Sequence, residues 1–422
     1  MSRLTSVFAL LLLAFALASA PSVQAQSPDY DWGDNDWGDW GDWGDFDDFV
    51  DNQEDPSDYD SDVDMDFEPD EIIALNLSRA GIKAARALGF RVQERQYLRT
   101  LNFTMARLRP PARMNSRTAL ARLRQADPKG FYDRNTIYSL AGQDSVAPCE
   151  GVRCYGQTLI GWGDTGCGVK TRVGIVDSAL DTGNPALAGQ KILYKRLHKS
   201  QPSTEEIEHG TAVAALLVGA PDSGFPGLMP EAELVAADVF SRDRNGNLLT
   251  DAARLATGLD WVASQKPSVI NISITGPDGG VLRTSIRRLV RSGIAVVAAA
   301  GNLGPKAPAQ YPAAYPEVTA VTAVDRQLQV YNKANRGDYV ALAAPGVGIW
   351  TTGLKGVGVF REGTSFAAPF ATAALALLKT REPKLQPASL LTLLKQQARD
   401  LGPPGNDPTF GWGLVQSGQC RS

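Results

Sequence analysis

The stretch Val173-Gly174-Ile175-Val176-Asp177-Ser178 is an apolar run that ends in a carboxylate and a hydroxyl. Such a run reads as a strand buried on both faces, the kind found in parallel sheets, and the carboxyl ends of those strands are where α/β folds expose functional side chains. Ala295-Val296-Val297-Ala298-Ala299-Ala300-Gly301-Asn302 repeats the pattern: a buried strand, a turn and a polar residue. Ala212 to Val218 and Phe366 to Leu378 are apolar on every side and read as helices with no solvent face. Together these segments predict an α/β fold with a mostly parallel sheet flanked by helices. With 43% hydrophobic and 21% charged residues the chain is globular, and 422 residues exceed one core of ~250, so more than one domain is expected.

The chemistry turns on histidine, because the chain has only two. His209, in Glu208-His209-Gly210-Thr211-Ala212, stands at the mouth of one apolar helix; Ser365, in Gly363-Thr364-Ser365-Phe366-Ala367-Ala368-Pro369, opens the other. Both reactive groups are therefore expected near helix N-termini, where unpaired N–H groups face a developing negative charge. A serine hydroxyl is a poor nucleophile at neutral pH and needs an adjacent base. His209 is suited to take its proton, Asp177 to hold the imidazole tautomer and stabilise the imidazolium, and the Asn302 amide to donate to an oxyanion. Each motif taken alone also reads as core packing with an incidental polar residue, but four in one chain outweigh that reading. His198, in Lys195-Arg196-Leu197-His198-Lys199, is read as a surface residue. The chain has no Gly-x-Ser-x-Gly elbow, phosphate loop or zinc-ligand cluster.

In this order and at these separations the segments resemble the subtilisin-like serine protease family, over roughly Thr171 to Gly413. The resemblance implies peptide-bond hydrolysis through an acyl-enzyme on Ser365, with Asp177, His209, Ser365 and Asn302 as catalytic groups. It implies that substrate adds as a strand beside Ser273, Ile274, Thr275 and Gly276, a stretch that reads equally as a core strand. Ala300 and Gly301 would line the pocket for the residue before the scissile bond, with Gln310 at its base favouring small or medium apolar side chains. The chain departs from the family pattern at Ala212, where a second histidine is usual, at Ala179, where glycine is common, and at Phe370 after the proline. No cofactor is required for this chemistry. Family members often bind structural calcium, but no loop here has readable oxygen-ligand spacing.

Charge is distributed in blocks. Residues 1–25 have the charged, apolar and small-residue parts of a secretory signal peptide, and the apolar run Val7 to Ala18 is short for a transmembrane span. Gln26 to Glu71 holds twenty acids and no Lys or Arg, in Asp-Trp-Gly-Asp units around Trp32, Trp37, Trp40 and Trp43, and is expected to be disordered when free. The next block, 72–140, is strongly basic. It reads strand (Ile72 to Leu77), helix (Ser78 to Leu88), strand (Phe90 to Arg95), strand (Asn102 to Leu108), helix (Ser116 to Gln125), strand (Tyr132 to Tyr138), the order of a small ferredoxin-like α+β domain. That block resembles the propeptide domain of secreted subtilisin-like proteases, which implies an intramolecular inhibitor and folding template. Residues 141–422 then form the peptidase domain. Nucleic-acid binding is the alternative for so basic a block, but no aromatic stacking motif accompanies the arginines.

Four cysteines agree with export to an oxidising compartment, secreted or periplasmic. They permit three pairings, among which the sequence does not choose; the pairing favoured is Cys149 with Cys154 and Cys167 with Cys420. The expected partners are polypeptide substrates and the chain's own propeptide, with no nucleic acid, no transmembrane segment and a monomeric state. Two other functions stand against the protease: a catalytically inactive scaffold of the same family acting as a binding protein, and a carrier whose Trp/Asp-rich segment is the working part.

Overall fold

The computed structural model describes residues 67–112, 114–140, 155–162, 166–198, 202–242, 247–417 and 420. The signal peptide, the acidic segment as far as residue 66, and Cys149 and Cys154 lie outside the described residues. Chain contacts separate Met1–Asp60 from Ser61–Ser422, and everything below belongs to the second unit.

Its amino-terminal part runs β1 (Phe67–Leu75), α1 (Arg79–Ala87), β2 (Arg91–Leu98), β3 (Phe103–Arg109), α2 (Ser116–Ala126) and β4 (Phe131–Leu140). The strands pair antiparallel in the order β2-β3-β1-β4, the ferredoxin-like arrangement. Side-chain caps start both helices, Ser78 accepting from the Gly81 N–H and Asn115 from the Thr118 N–H. Alternation along β1 then divides the sheet's two faces. Ile72 and Ala74 pack with Ala85, Leu108, Ala119 and Leu123 under the two helices. Ile73 and Leu75 join Leu98, Leu101, Phe103 and Met105 on the other face, in a core shared with the peptidase region.

One boundary differs from the sequence reading. β1 begins at Phe67 rather than Ile72, so the last residues of the acidic segment are strand. The pairing that recruits them is tertiary: Phe67 lies opposite Thr136 of β4, and the Arg134 guanidinium sits 3.3 Å from the centre of the Phe67 ring. Acidic residues disfavour strands locally, which hid this extension.

The larger part contains α3 (Gly156–Leu159), β5 (Arg172–Asp177), β6 (Ile192–Arg196), α4 (Thr204–Val218), β7 (Glu233–Asp238), β8 (Ser241–Arg242), β9 (Leu248–Asp251), α5 (Ala252–Ser264), β10 (Val269–Ile272), β11 (Ile274–Thr275), α6 (Gly280–Arg291), β12 (Ala295–Ala299), β13 (Thr319–Val324), β14 (Leu342–Pro345), β15 (Ile349–Thr352), β16 (Gly358–Arg361), α7 (Thr364–Arg381) and α8 (Pro387–Gln397). A seven-stranded parallel sheet in the order β14-β13-β12-β10-β5-β7-β6 forms its centre. Because alternate residues face opposite ways, one layer packs Val173 and Ile175 with α4 and α7, and the other packs Val176, Ile270 and Ile272 with α5 and α6. The α/β architecture read from the apolar runs is the one observed.

Cys167 and Cys420 are joined in a disulfide, with their Cα atoms 5.7 Å apart. The bridge closes a loop of 253 residues and ties the carboxyl terminus to the segment ahead of β5. Removing such a crosslink typically costs about 2–4 kcal/mol. Cys420→Ser is therefore expected to melt at a lower temperature than the wild type, and reductant should bring the wild type down to the variant. Equal melting temperatures without reductant would show that the bridge contributes nothing.

Candidate active site

The end of β5 sets the site. Asp177 is fully buried, and its Oδ1 accepts from the Ser178 N–H (2.7 Å) and faces His209 Nδ1 at 2.8 Å. A carboxylate oxygen only accepts, so this contact assigns the ring proton to Nδ1 and leaves Nε2 as a lone-pair acceptor. Nε2 is buried with no hydrogen-bond partner among the described residues, and the same holds for Ser365 Oγ. An imidazole lone pair and a hydroxyl are thus both withdrawn from other partners among the described residues.

The helix that carries His209 differs from expectation. α4 begins at Thr204, so His209 is inside the helix rather than at its N-terminus. Ser203 and Glu206 form a reciprocal capping box that starts the helix early. This Ser-x-x-Glu signal lies in the sequence three residues ahead of His209, outside the apolar run. Ser178 Oγ then stitches α4 to β5, donating to the Glu206 carbonyl (2.6 Å) and accepting from the Gly210 N–H (3.1 Å). The approach is so close that a Cβ on Gly210 would lie 2.6 Å from two carbonyl oxygens, those of Ser178 and Ala179, which accounts for the His-Gly sequence.

Ser365 is the second residue of α7, as the sequence reading placed it, near a helix N-terminus. Three contacts fix it relative to the rest. Ser273 Oγ donates to the Ser365 carbonyl (3.2 Å) and accepts from Asn271 Nδ2 (3.0 Å), and Asn271 Oδ1 lies 3.1 Å from Thr372 Oγ1, so a buried polar chain joins β10 to α7. Phe366, next to Ser365, packs on the His209 ring with centroids 5.3 Å apart. Arg361 of β16 donates to Glu208 at 2.8 Å, linking the residue before His209 to the strand that leads into α7. Of the positions that depart from the family pattern, Ala212 turns its carbonyl to Thr351 Oγ1 (3.1 Å) and Phe370 is buried against Gly156.

Asn302 follows β12 on the same side of the site. Its Oδ1 accepts from the Thr364 N–H (3.1 Å), and Thr364 Oγ1 lies 3.0 Å away while accepting from the Gly301 N–H (3.2 Å). With Oδ1 so engaged, Nδ2 is the free end of the amide, buried and without a hydrogen-bond partner among the described residues. Thr364 was not singled out from the sequence, although it sits inside the Gly-Thr-Ser motif. Gly301 has a φ of +112°, and a Cβ there would meet Gln310 Cγ at 2.8 Å, so Gln310 lies directly against it. The Gln310 amide donates to the Pro308 carbonyl at 3.2 Å. Ala300 accepts from the Tyr339 hydroxyl at 2.8 Å.

His198 is not the surface residue that its basic neighbours suggested. Its side chain is only 8% exposed, and Nε2 lies 3.2 Å from Oδ2 of the buried Asp238, beside Arg196 Nε at 2.9 Å. Parallel pairing of β6 with β7 creates this cluster from residues about 40 apart, and β7 sets Asp238 level with Asp177. Among the described residues, no group of three or more His, Cys, Asp or Glu is placed to hold a metal ion, and no helix is long and apolar enough to cross a membrane.

The strand beside the site is already paired. β11 runs antiparallel to the end of β4, Ile274 opposite Leu140 and Thr275 opposite Ser139, so the chain's own amino-terminal part lies along Ser273 to Gly276. Polar anchors hold it there: Asp133 accepts from the Gly280 N–H (2.6 Å), Asn135 from the Ala253 N–H (3.2 Å), and Asp260 from the Thr100 and Leu101 N–H groups (2.7 and 2.9 Å). Arg107 bridges Glu71 (3.0 Å) and Asp251 (3.3 Å). Burial pushes the Asp133 carboxyl above its ordinary range, against the bond from Gly280.

Comparison with known proteins agrees with this geometry. Residues 168–413 match the sequence model of the subtilase family. The minor extracellular protease Epr of Bacillus subtilis (strain 168) is 33% identical over 253 residues, 59% of this chain and 38% of Epr. The subtilisin of Bacillus pumilus is 33% identical over 258 residues, 60% of this chain and 90% of that protein. Fervidolysin of Fervidobacterium pennivorans, a keratinolytic enzyme related to subtilisin, superposes with a TM-score of 0.69 at 23% identity, covering 84% of this chain and 61% of its own. That 84% exceeds what residues 168–413 supply, so the likeness in fold extends into the amino-terminal part. The chain spans little more than a third of Epr and under two thirds of fervidolysin.

The free Nδ2 of Asn302 supplies a direct test. Loss of the equivalent donor from subtilisin, the reference case for this effect, costs about 10²–10³ in kcat, or ~3–4 kcal/mol. Asn302→Ala is expected to fold normally and keep its KM while kcat falls by that order; a wild-type kcat would remove Asn302 from the chemistry.

Proposed function

Because the chain belongs to the subtilase family, we propose that it is a secreted serine endopeptidase made as a zymogen that cuts itself. The observation that carries this reading is the antiparallel pairing of β4 with β11. A polypeptide laid on the Ile274–Thr275 edge is held by its backbone, which suits an enzyme that cleaves chains internally.

In the proposed reaction the substrate carbonyl is set against Ser365 Oγ. His209 Nε2 takes the hydroxyl proton as Oγ attacks, and Asp177, on Nδ1, stabilises the imidazolium that forms. Asn302 Nδ2 and the N-terminus of α7 receive the developing oxyanion. His209 then returns the proton to the leaving amine, and water releases the acyl group by the same steps reversed. These roles call on no cofactor.

Phe67–Leu140 is then the inhibitory propeptide, its last strand occupying the cleft as a bound product would. β4 ends at Leu140, one position from the level of Ser273, whose hydroxyl touches the Ser365 carbonyl. The reading therefore puts the maturation cut at or shortly after the end of β4, between Ser139 and Ala147. Export is supported by the signal-like residues 1–25, by the Cys167–Cys420 bridge and by the extracellular relative Epr. The acidic segment that follows residue 25 is assigned a spacer role, and the mature enzyme is taken as a monomer. An inactive scaffold acting as a binding protein is the alternative, and a fluorophosphonate probe separates the two, since only an activated serine reacts.

Two outcomes test the proposal. Ser365→Ala, expressed beside the wild type without other proteases, is expected to accumulate uncut precursor, while N-terminal sequencing of wild-type product finds a start within that window. Identical processing of both would sink self-cleavage. Gln310, packed on Gly301, is expected to shorten the pocket for the residue before the cut, so a peptide library should show preference for small or medium apolar side chains. Strong selection of Phe or Tyr would overturn that assignment.

A further inference from the structure

The chain's two histidines each face a carboxylate that ends one of two neighbouring strands. Asp177 closes β5 and Asp238 closes β7, level with each other in the parallel register, and both are buried. The first belongs to the reaction set out above, whereas the second has no step in it. Paired residues of a parallel sheet share a face, so Tyr194 and Arg196 of β6 turn with Asp238 and Asp177 toward the layer that contains α4. Asp238 is thereby surrounded. Its Oδ1 accepts from the Phe240 N–H (3.2 Å), and its Oδ2 accepts from Arg196 Nε (2.9 Å) and lies 3.2 Å from His198 Nε2. A buried charged group of this kind is seldom more stabilising than apolar packing of the same volume, so stability alone is a weak reason for it.

Tyr194 connects this cluster to the end of β5. Its hydroxyl donates to Asp238 Oδ2 (3.4 Å) and accepts from the Leu180 N–H (3.2 Å). A carboxylate only accepts, so Asp238 directs the hydroxyl proton to itself and turns an oxygen lone pair toward Leu180. Burial pushes the hydroxyl up to about 12, which keeps it a donor at neutral pH. Leu180 is the third residue after Asp177 and is buried, so its N–H depends on a protein acceptor. Around it the chain is held from several sides. Ser178 bonds to α4, the Asp181 N–H donates to Thr211 Oγ1 of α4 (2.9 Å), and the Asp177 carbonyl accepts from the Val239 N–H (3.1 Å). Tyr194 adds to these an anchor from β6, the edge strand of the sheet.

We infer that Tyr194 is a positioning residue for the hydrolytic site, oriented by Asp238: its hydroxyl fixes the turn after β5, and with it the direction in which Asp177 meets His209. The inference rests on the protease reading above and goes beyond it in giving the second Asp–His pair a task. Arg196 and His198 belong to the same device, because they hold the Asp238 carboxylate that aims the Tyr194 hydroxyl. None of the four touches the reacting atoms; they act through Leu180 on the strand end that bears Asp177.

The test uses the full chain, with rates of cleavage of a chromogenic peptide amide counted per serine that a fluorophosphonate labels in a parallel sample. Tyr194→Phe keeps the ring and removes the hydroxyl. It is expected to lower kcat and kcat/KM together by about tenfold, with KM within about twofold of wild type, as loss of alignment in the transition state requires. A kcat within about twofold of wild type overturns the inference, even where the melting temperature falls, since a purely structural role moves stability and leaves turnover per labelled site alone. Asp238→Asn leaves an amide oxygen to accept from Tyr194 and is expected to lose about threefold in kcat. A larger loss than that of Tyr194→Phe would show that Asp238 acts by another route and overturn its assignment. Failure of the protease reading has a separate signature: the wild type itself would neither take the label nor cleave the amide, and the inference would fall with it.

Discussion

The contact between Asp177 and His209 is the constraint on which the rest of the site depends. A carboxylate removed from water is costly unless it is paired and hydrogen-bonded, and Asp177 is fully buried. Its Oδ1 is satisfied by the neighbouring amide and by the imidazole, so the ring cannot turn without leaving that oxygen short of a partner. The tautomer follows, and with it a lone pair on Nε2. Ser178 holds the two elements at this separation by bonding to α4 at both Glu206 and Gly210, and Gly210 permits the approach. Phe366 and the Glu208–Arg361 pair carry the alignment on to α7.

A second constraint is that one short stretch of chain joins two sheets. β10 is a central strand, paired on both sides within the parallel sheet, but after Ser273 the chain leaves that sheet and β11 offers its edge to β4. The same few residues thus belong to the parallel sheet at one end and to the antiparallel one at the other. An exposed edge invites pairing with another chain. Here the chain's own amino-terminal part covers it, and docking is reinforced by apolar residues of one face of the antiparallel sheet, by the Asn135 amide oxygen at the start of α5 and by the Asp133 carboxylate at the start of α6. The result is a strand held against β11 by contacts well beyond the paired residues.

Local chemistry made much of this legible. The uninterrupted apolar runs before Asp177 and Asn302 read as buried strands from their short length and valine and isoleucine content, without reference to any partner. The six elements of the amino-terminal part were readable because Ser78 and Asn115 cap helices and the strands between them alternate. The start of α4 was readable too, from Ser203 and Glu206, but an apolar run is a stronger signal than a capping box and drew the boundary to itself. Phe67 to Glu71 gave no local signal, because acids disfavour strands locally and the partners that hold this one, Arg134 on Phe67 and Arg107 on Glu71, are tertiary.

What the sequence by itself determined is the set of candidate groups, the strands that end before Asp177 and Asn302, the start of α7 at Ser365, and the α/β class, since these follow from residue type, order and run length. Tertiary structure decided the contacts between groups distant in the chain, which no local pattern encodes. Only the parallel neighbour β7 takes His198 out of solvent to Asp238; only the packing of α7 against β12 lets Thr364 hold the oxygen of Asn302 and leave its nitrogen free. The Asp133 carboxylate likewise reaches the Gly280 N–H only because β4 docks there, after more than 130 residues of intervening chain.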